Sequence, residues 1–108
     1  MNIITAIHRR PDGTVLVAAC DTAVHGKVIS DGKRRIDTTN SFYTGEPTDT
    51  QGAAELFSIA THLHLVGEQC VSLGISQRYI EPAHVLTVND VPYAECVIVR
   101  NDLGITSA

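Results

Sequence analysis

The chain has 108 residues, of which 44% are hydrophobic and 19% charged, and its formal net charge is −4. This composition is typical of a globular protein, excludes extensive disorder, and argues against broad electrostatic binding to nucleic acid, which needs a basic surface. The length favours a single domain over residues 1–108, and no apolar run approaches the ~18 residues of a membrane span. Because the N-terminal residues lack a secretory signal, we expect a cytoplasmic protein without a membrane partner.

The cysteines indicate a reducing environment. Cys20, Cys70 and Cys96 stand among apolar neighbours. Their odd number and the absence of C-x-x-C spacing fit neither a disulfide framework nor a zinc knuckle. Free cysteines of this kind usually pack as small hydrophobic residues. We therefore expect reduced core cysteines, and no cofactor.

The N-terminal part of the chain predicts an antiparallel hairpin. Ile3 to His8 has strand composition, and Thr14 to Cys20 is a Val-rich run typical of a strand buried on both faces. Between them, Arg10-Pro-Asp-Gly13 places proline and glycine where a tight turn favours them. The next segment breaks this pattern, because Asp21 can cap a short helical turn that Gly26 ends in a left-handed conformation.

A second, smaller hairpin follows. Val28-Ile29 and Arg35-Ile36-Asp37 have strand composition, and Asp31-Gly32 between them is typical of a two-residue turn. A solvated turn is the simplest interpretation of the cations around it, and a contact to RNA phosphates is the functional one. Phe42 and Tyr43 in the next loop either cover the edge of the core or stack on bases. The cations of this local basic cluster are Lys27, Lys33, Arg34 and Arg35.

The longest helical pattern covers Thr48 to Ser76. A glycine inside a helix costs about 1 kcal/mol relative to alanine, so Gly67 indicates a close crossing, a bend, or a break into two helices. We expect one long helix or two consecutive helices, the latter joined within Ala60 to Leu63. The apolar residues that recur there in steps of three and four are Leu56, Ile59, Ala60, Leu63, Val66, Cys70, Val71 and Leu73.

Two histidines lie in this helical pattern. On a helix His62 and His64 fall on different sides, which makes them a poor metal pair. His64 and Glu68 are four residues apart and share a side. That spacing suits a metal site, a proton relay or, more simply, a structural hydrogen bond.

The C-terminal part predicts another hairpin. Glu81-Pro82 ends the helical region, His84 to Val88 has strand composition, Asn89-Asp90 is a turn signal, and Tyr93 to Arg100 is a second strand. The predicted fold class is therefore α+β. It is a mainly antiparallel sheet built from hairpins at both ends of the chain, packed by one long or two consecutive helices from the middle.

Five blocks of the sequence carry a family resemblance. They are Val15-Leu-Val-Ala-Ala-Cys-Asp21, Gly26-Lys27, Phe42-Tyr43-x-Gly45, Leu65-Val66-Gly67-Glu68 and Val91-Pro92-Tyr93-Ala94. In the order and spacing of these blocks the chain resembles a small archaeal family known as domain of unknown function 424. The resemblance implies an archaeal cytoplasmic protein without an established activity, and by analogy alone it suggests RNA handling or translation.

The chain also departs from the pattern of the family that it resembles. His64 stands where the family usually has asparagine, Tyr93 where it has histidine, and Glu95 where it has glutamine. Glu46 replaces a second glycine after Gly45. A reaction that needed an imidazole at position 93 would not be shared by this chain, because tyrosine does not titrate near neutral pH.

The family blocks select positions at the ends of elements and in loops, where polar residues and glycines are more often functional. We expect a non-enzymatic binding module that contacts RNA or a translation component. One alternative is a small enzyme or metal-binding protein with a site around His64, Glu68 and Asp21. The other is a structural protein-interaction module, such as a homodimer formed through an open sheet edge. The predicted binding surface consists of Asp21, Lys27, Lys33, Arg34, Arg35, Tyr43, Gly45, Glu68 and Tyr93.

Overall fold

The computed structural model describes residues 2–99. Within this range strands and helices alternate irregularly along the chain. In chain order they are β1 (Ile3–Arg9), β2 (Val15–Asp21), β3 (Val28–Ser30), β4 (Arg35–Asp37), β5 (Glu46–Thr48), α1 (Thr50–Ile59), β6 (His62–Val66), α2 (Glu68–Ser76), β7 (Leu86–Val88) and β8 (Val91–Val97), with short 3-10 turns at Ser41–Tyr43 and Pro82–His84.

Six of these strands form the main sheet, in the order β5-β1-β2-β6-β8-β7. Strands β2 and β6 are parallel, and all other neighbours in the sheet are antiparallel. The predicted α+β fold class is therefore confirmed. Strands β3 and β4 form a separate antiparallel hairpin.

The hairpins at both ends of the chain are also confirmed. Strand β1 pairs with β2 along its whole length, from Ile3 opposite Asp21 to Arg9 opposite Val15. Strand β7 joins β8 through Asn89 and Asp90, whose φ angles of 47° and 67° suit the tight hairpin turn that favours asparagine and aspartate. Strand β8 ends at Val97, so the predicted continuation of the strand through Ile98 and Val99 is wrong, and Arg100 lies outside the described residues.

Two helices form as one alternative predicted, but the single long helix does not, and the direct join within Ala60 to Leu63 is wrong because a strand separates the helices. Helix α1 ends at Ile59, the five-residue strand β6 follows, and α2 begins only at Glu68. Strand β6 lies in the middle of the sheet between β2 and β8. Its residues alternate between half-buried His62 and His64 and fully buried Leu63 and Leu65, which is the two-residue period of a strand.

The two faces of the main sheet are covered differently. Helices α1 and α2 pack on one face, which we call the helix face; the opposite face is the hairpin face. The larger apolar core lies on the helix face and includes Ile3, Val17, Ala19, Phe57, Leu63, Leu65, Cys70 and Val71. On the hairpin face, Ala6, Leu16 and Ala18 pack against Phe42 and Tyr43 of the first 3-10 turn.

The β3–β4 hairpin has a longer turn than the predicted Asp31-Gly32 pair. Ser30 pairs with Arg35, so four residues form the loop. The Asp31 N–H donates to the Arg34 carbonyl at 3.2 Å. The Asp31 carboxylate accepts from the Lys33 and Arg34 N–H groups at 3.1 and 3.0 Å. These bonds from the Asp31 side chain to the backbone two and three residues later close the loop.

Helix α1 begins after Asp49, whose carboxylate accepts from the Gly52 N–H at 2.8 Å. A carboxylate at this position satisfies a donor that the helix leaves unpaired. Neither α1 nor α2, nor any other helix in residues 2–99, is long and apolar enough to cross a membrane.

Candidate functional site

A cleft of about 280 Å³ opens on the hairpin face. One wall is strand β4, a second is the 3-10 turn Ser41–Tyr43 with the preceding residue, and the floor is formed by β6 and β8. The cleft brings together groups that are far apart in sequence. Its polar lining consists of Arg35, Asp37, Asn40, Tyr43, His64, Tyr93 and Glu95.

The floor of the cleft carries a histidine–carboxylate pair. His64 on β6 lies directly opposite Glu95 on β8 in the strand register. Their Nδ1 and Oε1 atoms are 3.5 Å apart, and the side chains are 29% and 64% exposed. A pair this open to solvent contributes little to stability. The carboxylate partner of His64 is therefore Glu95 across the sheet, and not Glu68 along a helix.

The β4 wall of the cleft carries a second pair of opposite charges. Arg35 and Asp37 are two residues apart in a strand and share a side, with Nη2 and Oδ2 at 3.6 Å. The Thr39 hydroxyl and N–H, followed by the Arg35 charge, hold the pKa of Asp37 below its usual range. Asp37 is therefore an ionised acceptor at neutral pH. Together with Glu95 it gives the cleft acceptors on two sides.

The 3-10 turn beside the cleft is held by histidines. The ring of Phe42 stacks on His8 with centroids 5.0 Å apart, and its edge meets His64 at 5.2 Å. The Nε2 atoms of His8 and His25 lie 2.9 and 3.1 Å from the carbonyls of Phe42 and Tyr43. Phe42 is thus stacked within the protein, and it is not free to stack on a base.

Two tyrosines face the cleft. Tyr43 and Tyr93 are both half-buried and line it from the 3-10 turn and from β8. Burial raises the pKa of Tyr43 to about 12. Its hydroxyl therefore keeps its proton at neutral pH and remains a hydrogen-bond donor.

Asp21 lies outside the cleft, at the start of α2. Its carboxylate accepts from the Gln69 and Cys70 N–H groups at 2.8 and 2.9 Å. Asp21 was predicted to cap a local turn with its side chain, but it caps α2 instead. The local turn forms through the Asp21 carbonyl, which accepts from the Val24 and His25 N–H groups. Asp21 is 7% exposed, and both of its carboxylate oxygens accept hydrogen bonds that join β2 to α2.

The alternative site around His64, Glu68 and Asp21 does not form. His64 pairs in register with Ala18 of β2. Asp21 is three positions further along that strand, so its side chain points to the opposite face of the sheet. Glu68 is exposed at the first residue of α2, near Asp21. Residues 2–99 contain no group of three or more His, Cys, Asp or Glu side chains that could hold a metal ion.

The cysteines are free, as the sequence predicts. Cys20 and Cys70 are buried, and Cys96 is half-buried. Burial raises the pKa of Cys20 to about 12 and raises that of Cys70 as well. Both buried thiols stay protonated at neutral pH, a form that is a poor nucleophile.

The cations of the predicted binding surface lie along the β3–β4 hairpin, and all of their residues are exposed. Lys27 precedes β3, Lys33 lies in the loop, and Arg35 borders the cleft. The Arg34 guanidinium donates to the Thr87 carbonyl of β7 at 3.1 Å. Of the predicted surface, Arg35, Tyr43 and Tyr93 line the cleft, and the other cations lie on or next to the same hairpin as Arg35.

Gly45 has a packing role in this arrangement. A Cβ atom at this position would overlap the backbone of Thr5 and Ala6 on β1. The chain therefore needs a glycine to pass close to β1 before it enters β5. Gly45 positions the neighbouring 3-10 turn and offers no side chain of its own.

Three polar residues of the cleft were missed by the sequence-based prediction: Asp37, Asn40 and Glu95. The alternation in Arg35-Ile36-Asp37 could have placed Asp37 beside Arg35. Glu95 becomes a site residue only through the pairing of β8 with β6. Its position in Tyr93-Ala-Glu95 shows the same two-residue alternation, since Ala94 is buried between two more exposed residues.

A family model described as "Protein of unknown function (DUF424)" matches residues 8–99. The solved structure described as "Crystal structure of an uncharacterized conserved protein from Methanopyrus kandleri" is similar over 94% of this chain and 96% of that chain, with a TM-score of 0.79 and 19% sequence identity. At this identity the likeness shows a common fold and nothing about activity. No curated protein matches the chain.

Proposed function

The chain belongs to the DUF424 family of proteins of unknown function, and from the hairpin face we propose that it is a non-enzymatic module that binds single-stranded RNA. The observation that carries this proposal is the position of the basic hairpin, with its exposed cations, directly beside the open polar cleft. Cations that bind phosphates and a cleft that accepts a base are the two parts that such recognition needs.

The phosphate-binding part is the β3–β4 hairpin. Lys27, Lys33, Arg34 and Arg35 lie within nine residues of a chain whose net charge is −4. Concentrating half of the eight lysines and arginines on one small element makes a local basic surface despite the acidic total. Attraction between such a surface and RNA phosphates weakens as salt screens it and as counterions compete.

The base-binding part is the cleft. Asp37 and Glu95 accept hydrogen bonds, whereas Tyr43, Asn40 and Arg35 can donate them. Unstacked bases in single-stranded RNA expose both donors and acceptors along their edges, so a cleft with both kinds of group suits them. Tyr93 adds a half-buried aromatic ring to the lining.

The use of the reactive side chains supports a binding role over a catalytic one. The Asp21 carboxylate is occupied by two backbone N–H groups of α2. The buried thiols of Cys20 and Cys70 are protonated at neutral pH because burial raises their pKa values. We further propose that the module works in the cytoplasm of an archaeal cell, and that its RNA belongs to the translation machinery.

Filter binding with single-stranded RNA tests this function. We expect measurable binding whose affinity falls as salt rises. The double variant Lys33→Glu/Arg35→Glu should weaken it by at least about ten-fold and reduce the salt dependence, because two phosphate contacts become repulsive. A control is Arg78→Glu just beyond α2, a single charge reversal that changes the net charge by half as much as the double variant.

Three outcomes would contradict the proposal. They are the absence of RNA binding, binding that does not change with salt, and an equal loss of affinity in the control variant. Circular dichroism of each variant would establish that a lost affinity does not reflect unfolding.

A further inference from the structure

We propose that the β3–β4 hairpin is a hinged strap over the cleft, whose free end is latched to the β7–β8 hairpin and is released when Arg34 exchanges the Thr87 carbonyl for a phosphate oxygen. The identity of the releasing ligand rests on the RNA-binding function proposed above, whereas the strap itself rests on the contacts described here.

The hinge end of the strap is built around Thr38. This residue is 1% exposed. Its hydroxyl accepts from the Lys27 N–H at 2.9 Å and lies 2.7 Å from the Val24 carbonyl, to which it can donate. Its own N–H donates to the Lys27 carbonyl at 2.9 Å. Buried and fully bonded, this end is fixed to the turn that follows β2.

The free end of the strap is held by exposed contacts to the β7–β8 hairpin. The Arg34 guanidinium donates to the Thr87 carbonyl at 3.1 Å. After the Arg34 and Lys33 N–H groups, the Asn89 N–H also lowers the pKa of Asp31. An exposed hydrogen bond competes with hydrogen bonds to water, so its net contribution to stability is small. The latch is therefore weak enough to open and still strong enough to favour the closed position.

The part of the strap between hinge and latch forms one wall of the cleft. Strands β3 and β4 have three residues each and pair only with each other. A two-stranded hairpin of this kind has little stability of its own. Arg35 and Asp37 on β4 line the cleft, so displacement of the strap would widen the cleft on that side.

The choice of partner for Arg34 provides the trigger. In the closed strap its guanidinium donates to a neutral peptide carbonyl. A phosphate adds the attraction of opposite charges and can accept two parallel bonds from the guanidinium, whereas the neutral carbonyl accepts without a charge of its own. An arriving phosphate therefore competes with the Thr87 carbonyl, and its binding frees the end of the strap.

Amide exchange measured by NMR on the free protein tests the latch without RNA. In Arg34→Ala we expect the Asp31 amide, which bonds across the loop to the Arg34 carbonyl, to exchange roughly three- to ten-fold faster. The Thr38 amide at the hinge should keep its rate. Lys33→Ala is the matched control, because it removes the same charge from the same loop and the described residues give its side chain no hydrogen bond or ion pair.

The outcomes separate the latch from a general loosening of the hairpin. An unchanged Asp31 amide in Arg34→Ala would overturn the latch. Equal acceleration of Asp31 and Thr38 would overturn the hinge. Acceleration in Lys33→Ala as large as that in Arg34→Ala would show that charge, and not the contact to Thr87, holds the strap.

Inorganic phosphate tests the trigger. At constant ionic strength, replacing chloride with phosphate should accelerate the Asp31 amide in the wild type and leave Arg34→Ala unchanged. An absence of acceleration in the wild type would overturn the trigger. If phosphate acts through Arg34 but no RNA binds, the strap stands and the proposed function fails; if RNA binds but Arg34→Ala leaves Asp31 unchanged, the strap fails alone.

Discussion

At the scale of single residues, the junction between β6 and α2 depends on a close contact between Gly67 and Asp21. Gly67 has a φ of 107°, which side-chain-bearing residues rarely adopt, and a Cβ atom there would overlap the Asp21 carboxyl group. The close approach lets Asp21 reach the Gln69 and Cys70 N–H groups. Gly67 thus allows a residue of β2 to cap α2, the helix that follows the neighbouring strand β6.

This contact predicts that Gly67→Ala destabilises the protein by more than the backbone conformation alone requires. The matched control is Gly26→Ala, where φ is 75° but nothing lies within 4 Å of the added Cβ. We expect the control to lose about 1–2 kcal/mol of unfolding free energy, the cost of a left-handed residue. Gly67→Ala should lose clearly more, because it also displaces the Asp21 cap. Urea unfolding measures both variants, and equal losses would contradict the role of the contact.

The neighbours of His64 depend on whether its backbone is a helix or a strand. On a helix it would share a side with Glu68, but on β6 it shares the hairpin face with Glu95. It also meets the edge of the Phe42 ring. The residue therefore connects the floor of the cleft to the aromatic turn beside it. Its function in the structure is set by its cross-strand neighbours.

At the scale of elements, the 3-10 turn Ser41–Tyr43 is the support of the cleft. Within residues 2–99 it pairs with no strand, and it is held by ring contacts and by two histidine–carbonyl hydrogen bonds. Phe42 lies between His8 and His64, so it links the turn to both β1 and β6. The position of one cleft wall depends on this ring.

Removing the ring should loosen the turn. We expect Phe42→Ala to lower the unfolding free energy by about 1–3 kcal/mol, less than for a fully buried phenylalanine because Phe42 is half-buried. Phe42→Leu keeps apolar volume and should recover part of the loss, without the aromatic contribution of about 0.5–1.5 kcal/mol. Urea unfolding gives the values. A control at exposed Val28, changed to Ala, should stay within about 0.5 kcal/mol of wild type.

A stable Phe42→Ala variant would contradict the role of the turn as a support. If that variant is stable but binds RNA less well, Phe42 would act on the ligand directly, in conflict with its internal stacking. Comparing stability with affinity separates these roles.

At the scale of the whole molecule, the sheet ends in two short edges. Strands β5 and β7 have three residues each, and Pro47 in β5 removes one backbone donor. Short strands and proline are common ways to limit pairing between exposed edges. A homodimer through a sheet edge stays a prediction. Pairing through β5 or β7 would form few hydrogen bonds, because each of these strands has three residues.

The buried thiols and the half-buried phenol predict a loss of stability in alkaline solution. Burial raises the pKa of Cys20 from 9.0 to about 12 and that of Tyr43 from 10.0 to about 12. Above the ordinary pKa of each group, the unfolded chain releases a proton that the folded chain keeps. The free energy of unfolding therefore falls as pH rises. We expect this loss from about pH 9 upward, at no more than about 1.4 kcal/mol per pH unit for each group.

Denaturant unfolding at several alkaline pH values measures this slope. Cys20→Ala removes one of the groups and should make the slope shallower, even if the variant is less stable at neutral pH. A stability that stays flat across this range would contradict the burial of neutral thiols in the folded state.

Local signals in the sequence were enough for the terminal hairpins, the α+β class and the start of α1. Turn residues such as Gly13 and Asn89 act on the backbone within a few positions. Their effect does not depend on the rest of the fold. The same is true of the basic hairpin, whose cations are neighbours along the chain.

Tertiary structure decided the identity of β6, the partner of Asp21 and the composition of the cleft. The apolar residues of segment 60–66 also fit a helical period, and only a central place between β2 and β8 makes that segment a strand. His64 and Glu95 are paired by the register of β6 and β8, and the β3–β4 hairpin places Arg35 in the lining of the same cleft. Such contacts join residues distant in sequence, and the local period of a chain holds no information about which strand becomes its neighbour.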